Sequence, residues 1–109
     1  MHEEFRVLQV AREVVDELNA LMDASKRRFI NEGQLREAAG SITSNIREGY
    51  GSAAGKDRKQ FLRFARGSAE ETDERLRTNF AGKRLQAKTY WRLHNRLDVI
   101  RKMLDKLAD

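Results

Sequence analysis

The residues with the clearest chemical potential are cations arranged in rows along predicted helices. One row recurs at steps of 3, 4 and 3, which places its members on a single helix face: Lys56, Lys59, Arg63 and Arg66. A second row, nearer the C-terminus, surrounds a tryptophan: Arg84, Lys88, Trp91, Lys102 and Lys106. Lysines and arginines in such rows can hold phosphate groups, while an exposed indole can stack on an unpaired base. Both rows are therefore candidates for nucleic-acid binding.

Trp91 admits other interpretations, because it stands roughly opposite the apolar face predicted for its helix. The surrounding lysines can simply form a solvated face. Alternatively, Trp91 can lie in a contact between subunits, where tryptophan is enriched. The sequence leaves the three interpretations open.

Catalytic and metal chemistry find little support in the residue types present. The chain has no cysteine, and its two histidines are His2 and His94. A di-iron bundle would need Glu-x-x-His pairs, but the residue three before His94 is Trp91. Ser41 and Ser44 have no base and orienting acid at a suitable spacing. We therefore expect no enzyme activity, no metal and no cofactor.

The segment EGYGSAAGK at residues 48–56 superficially resembles a phosphate-binding P-loop. Only three residues separate Gly51 from Gly55, where the motif needs four, and Asp57 stands in place of Ser or Thr. No predicted strand precedes it. This segment is better explained as the end of a helix and a short linker, GSAAG at 51–55.

Four amphipathic segments must position the candidate residues. Apolar residues at steps of three and four predict helices over about 3–29, 34–50, 56–81 and 86–108. The first stripe comprises Phe5, Leu8, Ala11, Val15, Leu18 and Met22, and the last comprises Tyr90, Leu93, Leu97, Ile100, Leu104 and Leu107. With short connections, these segments predict one domain over residues 1–109, an all-α up-down-up-down antiparallel four-helix bundle.

Composition and charge narrow the class of partner. Hydrophobic residues make up 39% of the 109 and charged residues 36%, and no apolar run reaches the length of a membrane span. We expect a cytoplasmic protein with no membrane partner. Residues 1–32 carry a net charge of −2 and residues 33–109 a net charge of +7. That asymmetry favours an anionic partner for the C-terminal two-thirds, and a solubilising surface is the alternative.

Small and polar residues gather where the second and third helices should meet: Gly40, Ser41, Ser44, Asn45 and Gly67. Glycine inside a helix costs about 1 kcal/mol relative to alanine, so we expect the two backbones to approach closely there. Asn45 would then need a hydrogen-bond partner, across a helix or a subunit boundary.

Acidic residues follow the first basic row on the same predicted helix: Glu70, Glu71, Asp73 and Glu74. A basic row that runs into an acidic patch suits complementary contacts between neighbouring copies. We expect this pattern to set the register of a heterologous contact in a ring.

The segments LREAAGSITSNIREGYG (35–51) and FLRFARGSAEETDERL (61–76) resemble the four-helix bundle proteins encoded in intervening sequences of bacterial 23S rRNA genes. The similarity is specific over residues 34–76. Thr43 departs from it by standing where the family usually has proline. Ala69 and Thr72 depart from it by replacing leucines.

The resemblance implies a bundle that assembles as a ring, typically a homopentamer. It also implies kinship with accessory proteins of diversity-generating retroelements, which engage a reverse transcriptase and nucleic acid. The resulting hypothesis is a non-enzymatic, ring-forming bundle that binds RNA or another nucleic acid through pooled basic surface. The alternative is a scaffold or accessory subunit that recruits a protein partner.

Overall fold

A computed structural model describes residues 3–51 and 56–109 of the chain. Within them the chain forms four helices: α1 (Glu3–Ala24), α2 (Glu32–Tyr50), α3 (Lys56–Ala81) and α4 (Ala87–Ala108). The described residues contain no strand. The helices form an all-α four-helix bundle with extents of 44 × 22 × 20 Å, as the periodicity predicted.

Each helix packs against two others. α2 packs against α1 and α3, while α4 packs against α3 and α1. Within the described segments, neither α1 with α3 nor α2 with α4 packs across the diagonal of the bundle. On α1 and α4, Glu17 pairs with Arg92 and Glu13 pairs with Arg96. The residue number of the α4 partner rises as the residue number on α1 falls, so these two helices run antiparallel.

One hydrophobic core runs the length of the bundle. The predicted α4 stripe is buried from Tyr90 to Leu104, and Leu107 packs at the edge of the core. Facing it are the buried side chains of α2 and α3: Leu35, Ala39, Ile42, Ile46, Leu62, Ala65, Ala69 and Leu76. Burying one such aliphatic side chain stabilises a fold by about 1.5–3 kcal/mol, so this core is the main source of stability.

The buried face of α1 differs in part from the predicted stripe. Val7 and Val14 are fully buried. Leu8 and Val15 pack against the edge of the core, and Phe5 is 58% exposed. Because α1 packs against both α2 and α4, its apolar face is wide, and spacing alone does not decide which of two adjacent valines points inward.

α1 ends at Ala24, five residues before the predicted end at residue 29. After it, the hydroxyl of Ser25 donates a hydrogen bond to the carbonyl oxygen of Arg27 at 2.5 Å. A continued helix would carry Phe29 about 10 Å beyond Met22 along the axis. The bend instead returns Phe29 onto the end of the core, where it is 3% exposed.

A buried amide ties the α1–α2 loop to the end of α3. Asn79 accepts a hydrogen bond from the backbone nitrogen of Ile30 at 2.7 Å and donates one to its carbonyl oxygen at 3.2 Å. Beyond α3, a Cβ added to Gly82 would lie 2.6 Å from Cδ1 of Ile30. The loop after α1 and the loop after α3 therefore lie against each other at one end of the bundle.

Within the residues that the structure describes, no helix is long and apolar enough to cross a membrane.

Candidate nucleic-acid interface

The second basic row divides between the two ends of the bundle. Arg84 lies in the loop before α4, because the helix begins at Ala87, so it is not in register with the rest of the row. Lys88 is exposed in the first turn of α4. Lys102 lies about 21 Å further along the axis, at 1.5 Å per residue, and Lys106 lies beyond it. The row is therefore two separate groups of cations.

Lys102 is partly neutralised within its own helix. Its Nζ lies 3.1 Å from Oδ2 of Asp98, whose Oδ1 accepts a hydrogen bond from Arg101 at 2.8 Å. The hydrogen bond from Lys102, with a further one from Arg101, lowers the pKa of Asp98 below its ordinary value. The carboxylate therefore stays ionised beside Lys102, which makes that lysine a weaker phosphate ligand than Lys88.

Trp91 is 51% exposed on α4. Its ring meets those of Tyr90 and His94 edge to face, with centroids 5.0 Å and 5.4 Å apart. Two neighbouring rings thus fix one side of the indole, while the remaining half is open to solvent. This exposure is compatible with stacking on a base and with a contact between subunits.

Two cations of the first basic row, on α3, are available to bind phosphate groups. Lys59 and Arg63 are exposed and form no ion pair with any described residue. Arg66 pairs with Glu70 on α3 and with Asp105 on α4, so it ties two helices together. Lys56 begins α3, and its side chain lies outside the described part of the chain.

Asp73 does not belong to an acidic surface patch, contrary to the prediction, because it is 4% exposed between α3 and α4. Its Oδ1 lies 2.9 Å from Nδ1 of His94 and 3.5 Å from the hydroxyl of Tyr90. Its Oδ2 lies 3.5 Å from Nη2 of Arg77. A buried carboxylate requires such partners, so this cluster joins α3 to α4.

The same cluster explains the state of Arg77. Its Nε donates to the Tyr90 hydroxyl at 3.2 Å. This bond, with the nearby charge of Asp73, raises the pKa of Arg77 above its ordinary value. Of the acids that remain at the surface, Glu70 and Glu71 pair with Arg66 and Arg75 on the same helix. Glu74 is exposed and forms no ion pair with a described residue. Of the predicted patch of four, one free acid therefore remains on the described α3 surface.

The predicted close approach of backbones fails at two of the glycines. A Cβ added to Gly40 or Gly67 would meet no heavy atom within 4 Å among the described residues, the atoms of its own helix turn aside. The close contact lies instead at Gly49, where a Cβ would be 3.3 Å from Cβ of Phe61 and 3.5 Å from the carbonyl oxygen of Arg58. α2 thus approaches α3 closely at Gly49, whereas a Cβ at Gly40 or Gly67 would point into open space.

The polar side chains of α2 bond to their own helix. Asn45 donates to the carbonyl oxygen of Ser41 at 2.8 Å, and the Ser44 hydroxyl lies 3.4 Å from the same oxygen. Asn45 therefore needs no partner on another helix. A polar groove of about 360 Å³ separates α2 from α3 at this level and is lined by Gln34, Glu37, Ala38, Ser41, Ser68, Glu71 and Arg75.

No group of three His, Asp or Glu side chains in the described residues is arranged to hold a metal ion. The geometry instead defines an all-α bundle with one core, a partly buried Asp73–His94 contact, and exposed cations at both ends. Residues 3–106 match the family model of the 23S rRNA-intervening sequence protein, and the chain belongs to this family.

A solved structure with the same fold is the crystal structure of a protein of unknown function from the S23 ribosomal protein family of Bacteroides thetaiotaomicron. It aligns with a TM-score of 0.91 over 98% of each chain, at 22% sequence identity. No curated protein matches the chain. The family predicted from residues 34–76 and the four-helix fold are thus confirmed.

Proposed function

We propose that this protein is a non-enzymatic helical bundle that assembles as a ring and binds RNA or another nucleic acid through its basic surface. One observation carries the proposal: within one turn of α4, Lys88, which is exposed and forms no ion pair with a described residue, stands beside the half-exposed ring of Trp91. Cations bind phosphates without regard to sequence, and an exposed ring can add stacking on a base. The family name points to RNA as the first polyanion to test.

The other predicted contacts contribute unequally. Lys59 and Arg63 are exposed and unpaired among the described residues, so they are available to phosphates at the far end of the bundle. Lys102 shares its charge with Asp98. We therefore assign the larger part of the binding on α4 to Lys88, with Lys102 and Lys106 in a secondary role.

Assembly into a pentamer is part of the proposal. Gly40 and Gly67 each cost helix stability of about 1 kcal/mol relative to alanine, and a Cβ added to either would meet no described heavy atom within 4 Å outside its own helix turn. A neighbouring copy that packs over this open surface would account for both glycines. The groove between α2 and α3 offers the same neighbour a recess.

Fluorescence anisotropy of a labelled structured RNA, titrated with nuclease-treated protein at several salt concentrations, tests RNA binding. The logarithm of the affinity should fall linearly with the logarithm of the salt concentration. Lys88→Ala with Lys102→Ala should flatten that dependence, whereas Asn95→Ala on the same helix should leave it unchanged. Absence of binding at low salt would refute the proposal.

The second candidate is a scaffold or accessory subunit that recruits a protein partner. Large apolar side chains at the surface favour it: Phe64, Trp91 and Val99 are each about half exposed. A protein contact of this kind should be insensitive to salt and should be lost in Trp91→Ala or Val99→Ser. Nucleic-acid binding, by contrast, should survive Val99→Ser.

A further inference from the structure

The chain's net positive charge lies mainly in two segments, which are the α1–α2 loop and the α3–α4 loop with the first turn of α4. Residues 25–31 and 82–89 contain six Lys or Arg and no Asp or Glu. The other 94 residues contain sixteen Lys or Arg and seventeen Asp or Glu, a net charge of −1. The chain's net charge of +5 therefore comes from these fifteen residues. This concentration of charge is not visible when the sequence is divided at residue 32. Three of the six cations then fall within residues 1–32, whose net charge is negative.

The fold brings the two loops together into what we call the cationic cap: Lys26, Arg27, Arg28, Lys83, Arg84 and Lys88. Asn79 holds the first loop by both of its hydrogen bonds to Ile30, and Gly82 lets the second loop pass close to Ile30. A pocket of about 280 Å³ between the loops is lined by residues from both sides, including Ser25, Phe29, Arg84, Gln86 and Thr89.

No described carboxylate pairs with a cation of the cap. The acids that flank the first loop are Asp23 and Glu32, and both bind Arg36 instead. The hydrogen bond that Arg36 donates to Asp23, partly opposed by desolvation, raises the pKa of Arg36. Neither acid offsets the charge of the cap through a direct contact.

The start of α4 adds to the positive potential of the cap. The first turn of the helix carries no acidic residue, and its N-cap residue, Gln86, makes no side-chain capping hydrogen bond. Lys88 occupies that turn, where the helix dipole favours an anion and opposes a cation. A bound anion would relieve this repulsion between Lys88 and the helix.

Arg84 is incompletely bonded. Its Nη1 donates to the carbonyl oxygen of Gly82 at 2.8 Å, while its buried Nε has no hydrogen-bond partner in the described structure. The side chain lines the pocket between the loops. A small reorientation toward a phosphate oxygen there would give the guanidinium a charged acceptor, which is a stronger partner than a carbonyl.

We propose that the cationic cap binds the sugar–phosphate backbone of double-helical RNA. This inference rests on the proposed function and moves its principal contact from the side of α4 to the end of the bundle. The aromatic residue within the two loops, Phe29, is buried. Apart from Lys88, which lies beside Trp91 on α4, the cap cations lie in loops whose aromatic residue is buried. The cap therefore offers mainly phosphate ligands, which suits a duplex better than a single strand.

The test compares two triple variants that remove the same charge, with a labelled RNA duplex as the probe. Lys26→Ala, Arg27→Ala and Arg28→Ala together remove the exposed cations of the first loop. Arg6→Ala, Arg12→Ala and Arg47→Ala together form the matched control, at exposed cations that lie outside the cap and outside both basic rows. The cap variant should bind at least about tenfold more weakly at low salt, with a salt slope smaller by about two to three, whereas the control should change little.

Each other outcome has a defined meaning. Equal losses in both variants would show that total charge governs binding, and would overturn the cap assignment. A loss in the control alone would also overturn it, while leaving RNA binding intact. No duplex binding by the unmodified chain would overturn both proposals.

A second cap variant uses the other loop and guards against misfolding of the first. Lys83→Gly keeps a residue suited to the left-handed backbone at φ 61°, and Lys88→Ala removes the adjacent charge. This pair should reproduce the loss of duplex binding. Preference for a single strand of the same sequence, abolished by Trp91→Ala, would contradict the assignment of a duplex.

Discussion

The side-chain amide of Asn79 bonds both backbone polar groups of Ile30, a residue 49 positions earlier in the chain. The nitrogen of Ile30 lies 2.7 Å from Oδ1 of Asn79, and its oxygen lies 3.2 Å from Nδ2. Asn79 is fully buried, so water cannot replace either bond. This amide therefore fixes the α1–α2 loop to the end of α3.

Asn79→Ala should lower the free energy of unfolding by about 2–3 kcal/mol, because it removes both hydrogen bonds that the buried amide makes to the Ile30 backbone. Chemical denaturation monitored by circular dichroism measures the change. Thr78→Ala is the matched control, since Thr78 is exposed and bonds within its own helix. That control should stay within about 0.5 kcal/mol of the unmodified chain. A neutral Asn79→Ala would show that the loop is not held by the amide.

Alanine at Gly40 or Gly67 should stabilise the isolated chain by about 0.5–1 kcal/mol, because alanine favours the helix and its Cβ meets open space. Gly49→Ala should lose that gain, because its Cβ would crowd Phe61 and the Arg58 carbonyl. Thermal unfolding at low protein concentration compares the three variants. Equal gains at all three positions would contradict the close approach at Gly49.

The same two variants report on assembly. If a neighbouring copy covers Gly40 and Gly67, alanine there should weaken association even as it stabilises the helix. Sedimentation velocity over a range of protein concentrations separates the two effects. Association that is unchanged in both variants would place the subunit contact elsewhere on the bundle.

Four helices and their joint core were predictable because a helix that packs on two neighbours repeats apolar residues every three or four positions. The buried polar residues were not predicted, although α3 carries a signal for them. Between the buried Ala69 and Leu76, the core-facing positions pass through Thr72 and Asp73, and the face continues to Asn79. Polar residues that interrupt an apolar stripe can be read as core positions that require partners.

The partners themselves lie beyond the reach of periodicity. Asp98 stands four residues before Lys102, so that pairing is visible in the sequence. The pairing of Arg66 with Asp105 spans 39 positions and depends on how α3 packs against α4. The cationic cap likewise joins two loops more than fifty residues apart in the sequence, so rows along single helices could not reveal it.

His94→Ala should destabilise the fold by about 1.5–3 kcal/mol, the range for a hydrogen bond to a charged group, because Asp73 would lose its shortest side-chain contact while staying buried. Arg77→Ala is the comparison, since it contacts the same carboxylate at 3.5 Å from an exposed position. Its effect should be smaller. Urea denaturation of both variants measures the two losses in the free energy of unfolding. A larger loss in Arg77→Ala would show that the arginine is the main partner of Asp73.

Asp98 should make stability depend on acid pH. Its pKa is lowered in the folded chain, so its stabilising contribution is fully present above the ordinary value of 3.8. It is lost as the pH falls below 3.8 and through the lower pKa of the folded state. Asp98→Asn should therefore be less stable than the unmodified chain at neutral pH, with the difference shrinking in acid. Thermal melts across this range measure it, and Lys102→Ala should reduce the same acid dependence.

The concentration of charge in two loops gives the bundle a positive pole. A rod 44 Å long with six cations at one end, and a nearly neutral remainder, has an electric dipole moment along its axis. The electric field of a nearby polyanion exerts a torque on this dipole and turns the positive end of the bundle toward the polyanion. The protein is therefore oriented before contact, while it still diffuses. Copies packed side by side and parallel would gather their poles on one rim, and the assembly would then have one strongly positive face and one nearly neutral face.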